Sequence, residues 1–368
     1  MPRAAVLREI GEPLEVIELD LDAPRTGEVE VAIAASGICH SDLSVQRGVV
    51  GIPRPVVLGH EGAGIVTRVG PDVTSVVEGD HVVLSWVPSC GHCRWCLRDE
   101  AYLCASGQQA ADAGRMLDGT TRLRHGDTDV HQMSALGTFA ERVVVPVQSA
   151  VRISADVPFE LAALVGCGVL TGIGAAIRTA SIRAGDVIAV FGCGGVGLNV
   201  LQGARLAKAE RIIAVDTSAA KLELAVRFGA TDTVHSGQVD PVEALRELTG
   251  GVGVDVSFEV IGLQATIQQA LRSARRGGQT VLVGMPDRDA TLPMRALATV
   301  YGARTIRGCW YGSSLPQVDV PHILDLHNRG EIELRALISG EIGLDDINRG
   351  LDDLASGTAT RSVIRFGS

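Results

Sequence analysis

Residues 186–216 read DVIAVFGCGGVGLNVLQGARLAKAERIIAVD. An apolar strand, VIAVF, runs into a glycine turn. The turn opens a helix, and the helix leads to a second apolar strand that ends on Asp216. The turn GCGGVG at 192–197 fits the spacing G-x-G-x-x-G. At such a turn Gly192 permits the tight bend, Gly194 lets backbone approach a pyrophosphate, and Gly197 lets helix and strand pack closely. Gly195 and Val196 complete the turn at the helix N-terminus, whose free N–H groups favour phosphate. Asp216 lies nineteen residues past Gly197. A carboxylate there accepts the adenosine ribose hydroxyls and repels a 2′-phosphate, so NAD is expected over NADP. Lys221 could reach the same ribose or be a solvated helix lysine.

Working outward, strand and helix keep alternating. KLELAVRFGA reads as helix, TDTVHS as strand, VDVSFEVIG as strand, ATIQQALRSARRGG as helix and QTVLVGM as strand. Such alternation marks βαβ units and a parallel sheet. Residues 1 to about 155 differ: VEVAIAASGIC, GAGIVTRVGP and GDHVVLSW are short strands bounded by turns, with no sustained helical period. An all-β barrel or sandwich is expected there. After about Arg304, a helix in VPHILDLHNRG and a closing strand, RSVIRF, are expected to return to that first domain.

The whole chain bounds the function. It has 368 residues, enough for two domains. Its net charge of −10 and lack of a basic run exclude nucleic acid as an expected partner. No apolar run reaches the ~18 residues of a membrane helix, and the N-terminus has no secretory pattern. A cytoplasmic protein without membrane contact is expected. A reducing cytosol disfavours disulfides.

That matters for the eight cysteines. Cys90, Cys93, Cys96 and Cys104 follow C-x2-C-x2-C-x7-C. A disulfide knot, an iron–sulfur cradle and zinc are the options. The ferredoxin spacing needs a short last gap followed by proline, whereas Ala105 follows a gap of seven. Zinc fits best, in a closed four-thiolate site that supports structure. Chemistry must lie elsewhere: Cys39 in GICHSD, His60 and Glu61 in LGHEGAG, and Cys167 in LVGCGVLTG. Two cysteines and a histidine with an open position make a catalytic zinc set, but each alone is equally compatible with core packing.

At this point the chain resembles the zinc-containing medium-chain alcohol dehydrogenases. GHEGAGIV with VGP, GDHVV, the four-cysteine loop, GCGVLTG, GCGGVG, VDVSFEVIG and RSVIRF occur in that family's order. The resemblance implies a GroES-like β-rich catalytic domain over 1–168 and 311–368, and a doubly wound Rossmann domain over 169–310. It implies two zinc ions per chain: a catalytic one on Cys39, His60 and Cys167, and a structural one on Cys90, Cys93, Cys96 and Cys104. Ser41 matches the hydroxyl that hands on the alcohol proton, Asp42 the acid behind the zinc histidine, Glu61 an acid behind the metal, and Thr171 a residue near the nicotinamide. His40 and Arg361 match positions at the cofactor phosphates. Ser44 stands where many relatives end the proton relay with histidine. Trp86, Met133, Met285 and Trp310 match pocket positions; being large and apolar, they favour an aromatic or medium-chain primary alcohol, with core packing the alternative.

Two rivals remain. A mycothiol- or glutathione-dependent formaldehyde dehydrogenase would use basic groups such as Arg115, Arg122, Arg124 and His125, and GCWYGSSLP resembles a stretch of the mycothiol branch. A non-catalytic zinc- and NAD-binding protein is the rival of another class. The family is commonly dimeric or tetrameric, so a homo-oligomer is expected, a dimer over a tetramer.

Overall fold

The computed structural model describes residues 1–294, 296–357 and 360–367. The chain divides into two compact units, residues 1–167 with 315–368, and residues 168–314.

The second unit is a six-stranded sheet. Its order is Asp232–His235, Arg211–Asp216, Val187–Phe191, Val254–Glu259, Ala274–Leu282 and Thr305–Gly308. Every neighbouring pair is parallel. Numbered along the chain this is 3-2-1-4-5-6, the doubly wound order, with its reversal between the strands ending at Phe191 and Glu259. The strands are nearly continuous runs of Val, Ile and Ala because helices cover both faces of such sheets. The helix Gly195–Leu206 leaves the first strand at the glycine turn. ATIQQALRSARRGG was expected to be helical throughout, but the helix Gln264–Ser273 stops at Ala274, where the next strand starts. The glycines at 277 and 278 are poor helix formers.

The first unit is built on two sheets. One has six strands; the other has seven, with Glu28–Gly37 paired to Glu61–Val69, Arg142–Pro146 and the closing strand Ser362–Arg365. The last strand thus returns to the N-terminal fold and pairs antiparallel with its longest strand. The core is a broad cluster including Val29, Val31, Ile33, Leu58, Leu84, Phe139 and Ile364.

Three expectations need correction. The N-terminal region is not all β: it holds the helices His40–Gln46 and Ala105–Ala113. Both are too short for a periodic stripe; their end residues make them. Asp42 closes a capping box on Cys39, and Cys104 Sγ caps Ala105–Ala113, which ends at Gly114 in the left-handed conformation. Second, one helical stretch, Phe159–Thr179, does have the length and hydropathy of a membrane span. Glu160 and Arg178 near its ends mask it in sequence. Its apolar window is 89 % buried within the protein, as in a core helix. Third, Arg122 is not a basic group open to a thiol substrate. It is completely buried, with Nε donating to Glu28 at 2.8 Å and Nη2 to Asp118 at 2.7 Å.

Candidate metal centre and cofactor site

The first cluster grows from one carboxylate. Cys39 stands at the N-terminus of the helix His40–Gln46, and Asp42, one turn in, folds back on it. Asp42 Oδ2 accepts from the Cys39 N–H at 2.8 Å. Its Oδ1 accepts from the Gly59 N–H at 3.1 Å and lies 3.1 Å from His60 Nδ1. An ionised carboxylate can only accept, so Nδ1 carries the proton and His60 presents Nε2. That atom is buried and has no hydrogen-bond partner. Cys167 arrives from a wide π-type turn, Val165–Val169, the kind of helix irregularity often found at functional sites.

Ligand atoms of Cys39, His60, Glu61 and Cys167 lie within 4.8 Å of one another, and all four residues are buried. The electrostatics are those of a cation site. Cys39 is held well below its ordinary value by a hydrogen bond with Cys167 and by the charge of Arg361; that same contact, with burial, pushes Cys167 well above. Burial opposes charge on His60, yet the Asp42 carboxylate overrides it and holds the ring well above its usual range. Burial raises Glu61 to about 7, against the pull of Arg361. Two thiols and an imidazole nitrogen, dry and crowded, suit a divalent metal that displaces their protons. The donor set matches zinc.

Sequence reading missed one partner. Arg361 is buried in this unit, with Nη1 3.3 Å from Glu61 Oε1 and donating to the Ile38 carbonyl at 3.1 Å. No local pattern could join residues from opposite ends of the chain. Ser41 is half-buried, its Oγ 3.8 Å from Cys39 Sγ. His40 is exposed and Ser44 half-buried on the same helix.

The second cluster is Cys90, Cys93, Cys96 and Cys104, whose sulfurs also lie within 4.8 Å of one another. Cys93 Sγ is 3.6 Å from Cys96 Sγ and 4.0 Å from Cys104 Sγ. Zinc–sulfur bonds of ~2.3 Å in a tetrahedron place sulfurs about 3.8 Å apart. Backbone N–H groups point at the thiols: Cys90 to Cys104 at 3.2 Å, and Cys93 to Cys90 at 3.4 Å. Such donors hold Cys93 down at about 6, while burial pushes Cys96 up to about 12. Four thiols so close ionise together only around a shared cation. None of the chain's cysteines forms a disulfide.

In the second unit the glycine turn has the expected shape. Gly192 has φ of +101°, and a Cβ on Gly197 would stand 1.9 Å from the Gly192 carbonyl oxygen. Nothing lies within 4 Å of a Cβ built on Gly194, the N-cap of the helix, so a cradle stays open above it. Gly195 and Val196 form the helix's first turn. Asp216 Oδ2 accepts from the Cys193 N–H at 2.8 Å and Oδ1 from the Ser218 N–H at 2.9 Å. The acid therefore braces the turn as well as standing at the strand end. Lys221 is half-buried, its N–H directed to Ser218 Oγ at 3.4 Å. These features fit a dinucleotide. Thr171 is half-buried in the helix Leu170–Gly174.

Of the four apolar positions, Met133 belongs to the first unit's core at 5 % exposure, and Trp86 packs against that core. Met285 is 46 % exposed and Trp310 half-buried in the second unit.

Comparison with known proteins places this geometry. The family model for the alcohol dehydrogenase GroES-like domain matches residues 25–155, and that for zinc-binding dehydrogenases matches residues 195–329. An S-(hydroxymethyl)glutathione dehydrogenase of Synechocystis sp. is 41 % identical over 99 % of both chains. An NDMA-dependent alcohol dehydrogenase of Amycolatopsis methanolica is 39 % identical over 98 % of both. The crystal structure of benzyl alcohol dehydrogenase from Acinetobacter calcoaceticus superposes with a TM-score of 0.94 at 32 % identity, covering 100 % of this chain and 99 % of that one. The protein is an oxidoreductase that uses zinc and NAD. Its chain belongs to the zinc-dependent medium-chain alcohol dehydrogenase family.

Proposed function

We propose that the protein reversibly oxidises a primary alcohol with an aromatic or medium-chain body, passing hydride to NAD without an added thiol. The buried Cys39–His60–Cys167 cluster, backed by Asp42, carries the alcohol chemistry of this reading; the aromatic or medium-chain body rests on the family resemblance at Trp86, Met133, Met285 and Trp310. Zinc bound there would polarise the alcohol or carbonyl oxygen as a Lewis acid, and NAD would take the hydride. The chain's own residues do the rest. Asp42 fixes the His60 ring so that Nε2 is left as its ligand atom. Glu61, paired with Arg361, brings a carboxylate oxygen within 4.8 Å of the other three ligand atoms. Burial of all four cluster residues keeps water from competing. Ser41 takes the alcohol proton and starts its path outward; Ser44, lacking an imidazole, hands nothing on as a base. Asp216 and the glycine turn seat the dinucleotide, with Lys221, Thr171 and His40 the further contacts suggested by family resemblance. The four-cysteine site holds a supporting zinc. We place the enzyme in the cytoplasm as a homodimer, in line with its free cysteines and with the family's habit.

A second reading has its own support: the relative at 41 % identity is named for S-(hydroxymethyl)glutathione. The basic stretch weakens it. Arg122 is buried on Glu28, Arg124 pairs with Asp22 at 2.8 Å, and Arg115 with Asp129 at 3.4 Å. Following NADH absorbance with benzyl alcohol, longer aliphatic alcohols, ethanol, and formaldehyde with or without glutathione or mycothiol decides between them. Fast turnover of benzyl or medium-chain alcohols without thiol is expected. Activity confined to formaldehyde plus thiol would replace the first reading by the second.

A further inference from the structure

The stretch VDVSFEVIG (254–262) takes no part in the chemistry above, yet it holds a buried acid. Glu259 ends the strand Val254–Glu259 and is 0 % exposed. It is in register with Phe191 on the neighbouring strand. These two strand ends flank the reversal of strand order, where doubly wound sheets bind their ligands.

The Glu259 carboxylate is fully engaged. Oε1 accepts from the N–H groups of Ile261 at 3.0 Å and Gly262 at 2.9 Å, and from the Thr266 hydroxyl at 2.7 Å. Oε2 accepts from the Gly262 N–H at 3.1 Å. Burial raises the acid above its ordinary value, and these donors pull it back. Its backbone carbonyl accepts from Val283 at 2.8 Å and Gly284 at 3.0 Å. One residue thus ties two strand-end turns together. The turns meet backbone to backbone: a Cβ on Gly262 would stand 2.4 Å from the Met285 carbonyl oxygen, and one on Gly284 2.2 Å from the Gly262 nitrogen. The clamped turn also leans on the phosphate-binding glycines. A Cβ on Gly192 would lie 2.6 Å from Ile261 Cγ1, and one on Gly197 3.1 Å from Val260 Cγ2. Converging donors at a dry site call for a group that only accepts, which a carboxylate is.

We propose that Glu259 is a positioning residue for NAD binding: by clamping the turn Val260–Gly262 against Gly192 and Gly197, it sets the wall of the crevice beside the phosphate-binding turn. It acts on the seating of the dinucleotide rather than on the hydride step. The proposal rests on the NAD-binding domain and not on which alcohol is oxidised.

The test is calorimetric titration of NADH into the zinc-loaded enzyme, for wild type, Glu259→Ala, Glu259→Gln and Thr266→Val, with kcat and KM for NAD measured alongside. Losing charge-assisted hydrogen bonds at a buried site predicts that Glu259→Ala raises the NADH Kd and the KM for NAD about tenfold or more, with kcat at saturating NAD within about twofold of wild type. Glu259→Gln keeps an oxygen facing the three donors and should recover most of the affinity. Thr266→Val, which removes one donor, should weaken binding roughly two- to fivefold. An NADH Kd unchanged in folded Glu259→Ala would overturn the proposal. If that variant does not fold, an unchanged NADH Kd in Thr266→Val would do so. The titration needs no alcohol, so a wrong substrate assignment leaves its outcome intact.

Discussion

Asp42 serves two metal ligands with one side chain: it caps the helix that starts at Cys39 and fixes the tautomer of His60. Removing its charge should loosen both. Asp42→Asn is expected to lower zinc affinity or activity roughly 10–100-fold, read by zinc content after mild chelation and by turnover; wild-type values for both would show that the contact is incidental. Asp216 braces the Cys193 N–H, and the ribose contact proposed for it would give it a second role. Asp216→Ala should weaken NADH binding and relax the preference for NAD over NADP. Parallel kinetics with the two cofactors check this, and an unchanged preference would remove the ribose role. The glycine turn and the closing acid were legible in the sequence because they act within about thirty residues of chain. The pairing of Glu61 with Arg361 was not, because only the folded sheet brings the C-terminal strand beside Glu28–Gly37.

Among the elements, the alternating strands and helices of the second unit could be read from their apolar runs and punctuating glycines. Short elements could not. His40–Gln46 is seven residues long and owes its start to Asp42 rather than to any stripe. The long apolar stretch around Cys167 looks like separate motifs in sequence because its glycines and flanking charges interrupt it. The basic stretch at 115–125 misled for another reason: charge in a sequence says nothing about burial. Arg122 joins the strand region of Leu123–His125 to Glu28 on the other sheet of the same unit. Arg122→Met would leave Glu28 buried without its cation, at a cost of about 3–5 kcal/mol. Denaturant unfolding should show this loss with little effect on NADH affinity. A variant as stable as wild type would mean that Glu28 finds water or another partner.

For the molecule as a whole, two metal sites divide the labour between support and chemistry. The four-cysteine loop was recognisable from spacing alone, since its ligands sit within fifteen residues. The catalytic set draws on three separated stretches, and sequence could propose its members but not their meeting. The central claim is that the Cys39–His60–Cys167 cluster carries the reaction. The most direct test is to purify His60→Ala, with Cys39→Ser and Cys167→Ser beside it, and measure zinc per chain, NADH binding and alcohol turnover on the same samples. The account predicts about one zinc per chain in place of two, NADH binding retained, and turnover lost. Near wild-type turnover in all three variants would contradict it.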